Sequence, residues 1–252
     1  MTRIKTKLTV SGIIIMSFIL QHTSVYAEGE FSIPKILDPA QTPEEVSQSI
    51  QILLLLTVLA LAPSIIIMMT SFTRIIIVLS FMRSALGTQQ MPPNQILIGL
   101  ALFLTFFIMS PVMAQMNTQA YQPYVNEEIT SEQALDSASE IIKEFMFKHT
   151  REKDLAFFVS LSGQELPIEK EDVSLFTAVP AFLISELQTA FTMGFLIYIP
   201  FLIIDMIVAS TLMSMGMMMI PPMMISLPFK LLIFVLIDGW NLVIKSVVQS
   251  FL

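Results

Sequence analysis

The sequence predicts an all-α membrane protein: two long hydrophobic helical hairpins separated by a small acidic helical extracytoplasmic domain, after a cleavable signal peptide. Three observations predict it. Hydrophobic residues make up 54% of the 252 residues and charged residues only 13%, against roughly 25% charged in an ordinary soluble domain. The uncharged residues are gathered into long tracts, and the acids are concentrated in one stretch between them. A single soluble globule would have too little charge here to cover its surface, and a disordered chain would be far less apolar. A net charge of −7 and a pI of about 4.8 offer phosphate no basic footprint, which argues against nucleic acid as a partner.

The first element is residues 1–27. Arg3, Lys5 and Lys7 precede the apolar run Val10 to Leu20, and Val25-Tyr26-Ala27 leads into Glu28. This is the layout of a secretory signal peptide cut between Ala27 and Glu28. The apolar run is shorter than the roughly 20 residues of a comfortable span; an uncleaved anchor is the other reading. Residues 28–49, with Pro34, Pro39 and Pro43, form an extracytoplasmic lead-in. Within it Thr42-Pro43-Glu44-Glu45 reads as a helix start, with a Thr cap, Pro in the first turn and acids behind it.

Residues 50–114 form the first hydrophobic hairpin. Ile50 to Thr73 is 24 residues without a charge, and Ile96 to Ala114 is a second apolar tract beyond the break at Gly87 and Pro92-Pro93. Arg74 and Arg83 lie between them, nine residues apart. That separation is about 900° of helical rotation, so they point to opposite faces. They are expected to bracket a membrane-surface segment and snorkel to headgroups at the hairpin tip. Residues 115–172 differ in kind, with twelve acids against five bases and a helical pattern near Ala134 to Phe147. Thr130-Ser131-Glu132-Gln133 supplies a capping-box start. Residues 173–252 form the second hairpin, uncharged from Leu187 to Ile204 and from Met206 to Phe229, with its turn at Gly216 and Pro221-Pro222. The positive-inside rule puts the tip bearing Arg74 and Arg83 in the cytoplasm, and the signal peptide puts residue 28 outside. The acidic domain then also falls outside.

Candidate functional residues follow from charge at membrane depth, which costs about 3 kcal/mol per group on the insertion scale. Asp205 and Lys230 are 25 residues apart and centred on the turn, so antiparallel arms bring them level as an intramembrane ion pair. The pair could fix hairpin register alone, or serve gating or proton transfer. Glu186 has no evident partner in the chain and is read as an intersubunit charge. Met213, Met215, Met217, Met218, Met219, Met223 and Met224 are seven of twelve residues between 213 and 224. They could simply fill apolar space, or face a bore and close it with flexible, polarizable side chains. The chain has no cysteine, and only His22 and His149. That is too few for a zinc site or a Ser-His-Asp triad, and nothing points to a cofactor or a catalytic residue.

Several stretches together resemble one family. They include Ser71-Phe72-Thr73-Arg74, Ala85-Leu86-Gly87-Thr88-Gln89-Gln90, Pro200-Phe201-Leu202-Ile203-Ile204-Asp205, Leu212-Met213-Ser214-Met215-Gly216-Met217-Met218-Met219, Ile225-Ser226-Leu227-Pro228-Phe229-Lys230 and Asp238-Gly239-Trp240-Asn241. They are similar to the FliP family of flagellar type III export-gate proteins, over about residues 50–114 and 173–245. The resemblance implies a ring of five copies that assembles with FliQ and FliR, works with FlhA and FlhB, and passes unfolded flagellar subunits across the cytoplasmic membrane at the basal body. It implies that Met217, Met218 and Met219 form a pore gasket and that Asp205 and Lys230 are the family's charged pair. It also implies that not every hydrophobic segment spans the bilayer in the assembled gate. An injectisome gate subunit of the same family and a small-molecule secondary transporter are the alternatives. The signal peptide and the sizeable acidic domain favour the flagellar branch, and no internal repeat favours a transporter.

Overall fold

The computed structural model describes residues 43–88, 90–162, 173–217 and 219–252. The expected signal peptide, its Ala27–Glu28 junction, most of the lead-in and Met218 lie outside the described residues. The described secondary structure is helical: α1 Pro43–Met69, α2 Phe72–Ala85, α3 Asn94–Met116, α4 Gln122–Val125, α5 Ser131–His149, α6 Glu152–Leu161, α7 Leu175–Ser214, α8 Pro222–Leu236 and α9 Gly239–Gln249. A π-helical turn, Asn117–Tyr121, joins α3 to α4. Two compact units divide at Ala60 and Leu61. The described part of the first, residues 43–60, is helical from Pro43 and strongly apolar beyond Ser49.

The second unit is built around α2. Its apolar residues recur at helical spacing, and Ile75, Val78, Leu79, Met82 and Ala85 are all buried. Helix α2 packs against α7, α3 and α9. This corrects the expected membrane-surface segment between Arg74 and Arg83: it is a core helix, covered by three neighbours. The uncharged tract Ile50 to Thr73 belongs to two helices, since α1 ends at Met69 and α2 begins at Phe72.

Helix α7 is 40 residues long, about 60 Å at 1.5 Å per residue and twice the roughly 30 Å of a bilayer core. Its buried face carries small residues, Ala178, Ala181, Ser185, Ala190 and Gly194, while Phe191, Phe195 and Leu196 face outward. The small residues let neighbouring helices approach closely, as in helices packed in lipid, beside the buried Phe182 and Phe201 of the same helix. At Gly194 the approach is close: a Cβ there would lie 2.5 Å from the Phe81 ring.

The acidic stretch does not stand apart as a domain. Helices α5 and α6 pack along α7, and Ile141, Phe145, Met146 and Val159 join the core that α2 and α7 build. The physical reason is the amphipathic face of α5, polar outward with Ile141, Phe145 and Met146 at helical spacing inward. Its start is a capping box: Gln133 N–H donates to Thr130 Oγ1 and Thr130 N–H donates to Gln133 Oε1.

By length and composition, three described helical stretches could cross a membrane: Ser49–Met69, Asn94–Val125 and Leu175–Ser214. The α8–α9 pair, bent by 65°, could make a fourth. The bend falls at Asp238, whose φ is +51°.

Candidate functional site

Two ion pairs and a methionine turn are arranged along α7. The first pair joins Arg74 of α2 to Glu186 of α7. Arg74 Nε donates to Glu186 Oε2 at 2.8 Å and Nη2 donates to Oε1, a bidentate fork. Arg74 is 3% exposed and Glu186 0%. The remaining guanidinium nitrogen, Nη1, donates to the carbonyl and hydroxyl of Ser250 at 3.0 and 2.9 Å. The Phe251 ring covers the cation, its centroid 3.8 Å from the guanidinium carbon. Phe145 of α5 stacks on Phe251. The C-terminal residues therefore close the site.

This geometry corrects two expectations. Arg74 is not a headgroup anchor at a hairpin tip but a buried cation in the core. Glu186 is not left for another subunit, because Arg74 of the same chain satisfies both its oxygens. The signal for the first correction lay in the sequence: Arg74, Val78, Met82 and Ala85 share one helical stripe, and the last three are apolar. Arg83 sits on the opposite face, as the 900° argument requires, and donates to Asn94 Oδ1 at 2.5 Å and the Pro92 carbonyl at 3.3 Å. It clamps the 86–93 connection to the start of α3.

The second pair joins α7 to α8. Lys230 Nζ donates to Asp205 Oδ2 at 2.6 Å and to the Ala85 carbonyl at 3.2 Å. Ser226 Oγ donates to Asp205 Oδ1 at 2.6 Å. Lys230 is 3% exposed while Asp205 is 31% exposed. The Phe201 and Phe234 rings, 6.3 Å apart, sit one helical turn further from the hairpin tip. Both residue pairs are centred between 217 and 218, which defines the antiparallel register of α7 and α8. Ser226 and the Ala85 carbonyl were not anticipated. Ser226 lies one turn from Lys230 on α8, a spacing that marks it as a same-face neighbour.

The turn between these helices is a Schellman motif. Gly216 adopts φ +75°, Met217 N–H donates to the Leu212 carbonyl and Gly216 N–H to that of Met213. Only glycine takes that φ without a Cβ penalty. The methionines around it are exposed: Met217 to 38% and Met219 to 96%.

Beside the first pair, Ser185 anchors α6 to α7. Its hydroxyl donates to Asp154 Oδ2 at 2.6 Å and accepts from the Arg151 N–H at 3.1 Å. Burial opposes ionisation of Asp154, yet the hydrogen bonds from Ser185 and Arg151 outweigh it and hold the carboxyl below its ordinary value. His149, at the end of α5, packs edge-on to Phe251 and against Phe145. Its pKa is lowered to about 4, first by burial and then by the positive charges of Arg74 and Lys148. No group of three or more His, Asp or Glu side chains suited to a metal ion occurs among the described residues.

Comparison with known proteins places these features in a family. The FliP family model matches residues 55–247. A curated flagellar biosynthetic protein FliP from Bacillus subtilis is 61% identical over 209 residues, covering 83% of this chain and 95% of its own. One from Aquifex aeolicus is 52% identical over 205 residues, 81% of this chain and 86% of its own. One from Treponema pallidum is 45% identical over 214 residues, 84% of this chain and 79% of its own.

Proposed function

The chain belongs to the FliP family, and from that premise we propose that it is the core pore-forming subunit of a flagellar type III protein export gate. It sits in the cytoplasmic membrane at the basal body and passes unfolded flagellar subunits outward. The observation that carries this reading is the family match over residues 55–247, which takes in both ion pairs' charged side chains and the methionine turn. The relatives' own names are flagellar, which favours the flagellar system over an injectisome.

The surface supports an assembled state. Helices α7 and α8 leave Phe191, Phe195, Leu232, Val235 and Leu236 exposed, an apolar surface that lipid and neighbouring subunits cover. In this reading five copies form a ring, FliQ and FliR complete it, and FlhA and FlhB join the apparatus. The residues after the signal peptide and the α5–α6 segment face outward, and the 86–93 connection faces the cytoplasm. Met217, Met218 and Met219 line the constriction as a gasket. Thioether side chains suit that task because they repack around whatever passes and seal without fixed hydrogen bonds.

Native mass spectrometry of the detergent-purified chain, coexpressed with its FliQ and FliR partners, tests the assembly. A discrete five-copy ring carrying both partners is expected; a monomer or dimer that takes up neither overturns the reading. Within an assembled gate, changing Met217, Met218 and Met219 together to Ala is expected to make the membrane leaky to small ions. Unchanged conductance removes the gasket.

A further inference from the structure

Lysine and arginine hold a carboxylate differently. The guanidinium fork of Arg74 matches both oxygens of Glu186 and fixes the acid's direction by itself. Lys230 is a point charge on a flexible stem, and a point charge fixes a distance but not a direction. Asp205 nevertheless has both oxygens held. Lys230 Nζ takes Oδ2 and Ser226 Oγ takes Oδ1, each at 2.6 Å. Ser226 and Lys230 stand four positions apart on α8, on successive turns of one face. Two donors on one helix, one per oxygen, set the carboxylate's torsions as a fork would. Ser226 is 0% exposed, so its hydroxyl has no bulk water to turn to. Its other acceptor, the Met223 carbonyl, is further away at 3.2 Å, and the shorter contact to the acid takes its single proton.

The direction of Asp205 matters because Lys230 has a second partner. The last carbonyls of a helix have no intrahelical donor. At the end of α2, Leu86 N–H donates to the Met82 carbonyl and Gly87 N–H to that of Ser84. The final carbonyl, Ala85, accepts from Lys230 Nζ at 3.2 Å, and a cation is electrostatically favoured at that helix end. Gly87 opens the 86–93 connection with φ +77°, and a Cβ there would lie 3.9 Å from Lys230 Nζ and 3.5 Å from Leu227 Cδ1. One ammonium therefore joins α7, α8 and the end of α2. It meets both acceptors only while Asp205 Oδ2 points where Ser226 holds it.

We propose that Ser226 is a positioning residue of the export gate. By fixing the Asp205 carboxylate it sets the contact through which Lys230 ties the α7–α8 hairpin, with its methionine turn, to the end of α2. This rests on the export-gate reading of the chain.

The test uses the full chain coexpressed with its FliQ and FliR partners, measuring assembled complex and flagellar subunit export on the same samples. Ser226→Ala is expected to leave the complex near wild-type abundance, because the freed Asp205 oxygen can turn to water at a position 31% exposed. Export per complex is expected to fall severalfold, and Ser226→Thr, which keeps the hydroxyl, to restore most of it. Melts in detergent show whether Ser226 acts through the acid: Ser226→Ala is expected to lower the melting temperature of the wild type but not that of Asp205→Ala, which has no carboxylate to hold. Unchanged export per complex in Ser226→Ala, a threonine variant no better than alanine, or the same melting shift in both backgrounds overturns the proposal. Failure of the wild-type chain to form a ring with its partners is a different result and overturns the gate reading itself.

Discussion

The two ion pairs that α7 makes with α2 and α8 contrast in closure. Arg74–Glu186 is sealed: both carboxylate oxygens are matched by the guanidinium, Ser250 takes the remaining nitrogen, and Phe251 caps the cation. Asp205–Lys230 is sealed on one side only, since the lysine is buried and the aspartate is nearly a third open. The acids of the two pairs stand 19 positions apart on α7, about 28 Å along a helix, which matches the thickness of a hydrocarbon core. A closed pair holds helices together and has no free valence for anything else. An open pair has a face on which a neighbouring subunit, water or a proton can act. On this comparison the first pair is an anchor of the fold and the second is the one available to function.

The contrast is most exposed to failure at Glu186. Glu186→Gln leaves a buried guanidinium without its counter-charge, and arginine cannot shed its proton. Breaking a buried pair from one side costs about 3–5 kcal/mol, so the variant is expected to be depleted from membranes or to lose most of its thermal stability in detergent. Near wild-type unfolding of this variant would remove the anchor role.

Asp205→Asn is expected to cost clearly less stability. The Asp205 carboxylate is partly open to water, and the Ala85 carbonyl still accepts from Lys230. Exchanging the two residues, Asp205→Lys with Lys230→Asp, is expected to recover part of any assembly defect of the single variants. A swap no better than either single change would dissolve the pairing argument.

Ser250→Ala sharpens the anchor itself. It removes one hydrogen bond to Arg74 and leaves the carbonyl one, for a loss of about 0.5–1.5 kcal/mol. A thermal melt that does not move would mean the C-terminal residues do not hold the cation in solution.

A separate expected effect is a pH dependence. His149 has its pKa lowered to about 4 from 6.5, so the unfolded chain binds a proton in that interval that the folded chain refuses. Stability from this group is complete above pH 6.5 and is lost as the pH falls toward 4. Asp154, whose carboxyl is also held below its ordinary 3.8, acts only below that window. Melting temperature is therefore expected to fall between pH 6.5 and 4, with a flatter slope in His149→Gln. An identical slope in both proteins would place the titration elsewhere.

Much of this arrangement was legible from residues close in sequence. The α7–α8 hairpin was readable because a glycine with turn-forming φ, two prolines and two opposite charges at matched distances all lie within one short segment. The capping box of α5 was readable for the same reason. The Arg74–Glu186 pair was not, because its partners are 112 residues apart and no local rule couples them. Membrane composition also misled: an arginine beside a long apolar tract reads as a headgroup anchor, and only the packing of α7 and α9 against α2 shows otherwise. The acidic stretch read as a separate domain because charge was averaged over it. The three apolar residues on one face of α5 are what tie it into the core.

The central claim, that one pair anchors the fold while the other serves function, is tested most directly by comparing Glu186→Gln and Asp205→Asn in cells. The amount of gate complex extracted from membranes and the rate of flagellar subunit export would be measured on the same samples. The account predicts that Glu186→Gln depletes the complex and that export falls in proportion. It predicts that Asp205→Asn leaves the complex near wild-type abundance while export per complex falls. Equal depletion of complex by both variants, with export per complex unchanged in each, would contradict it.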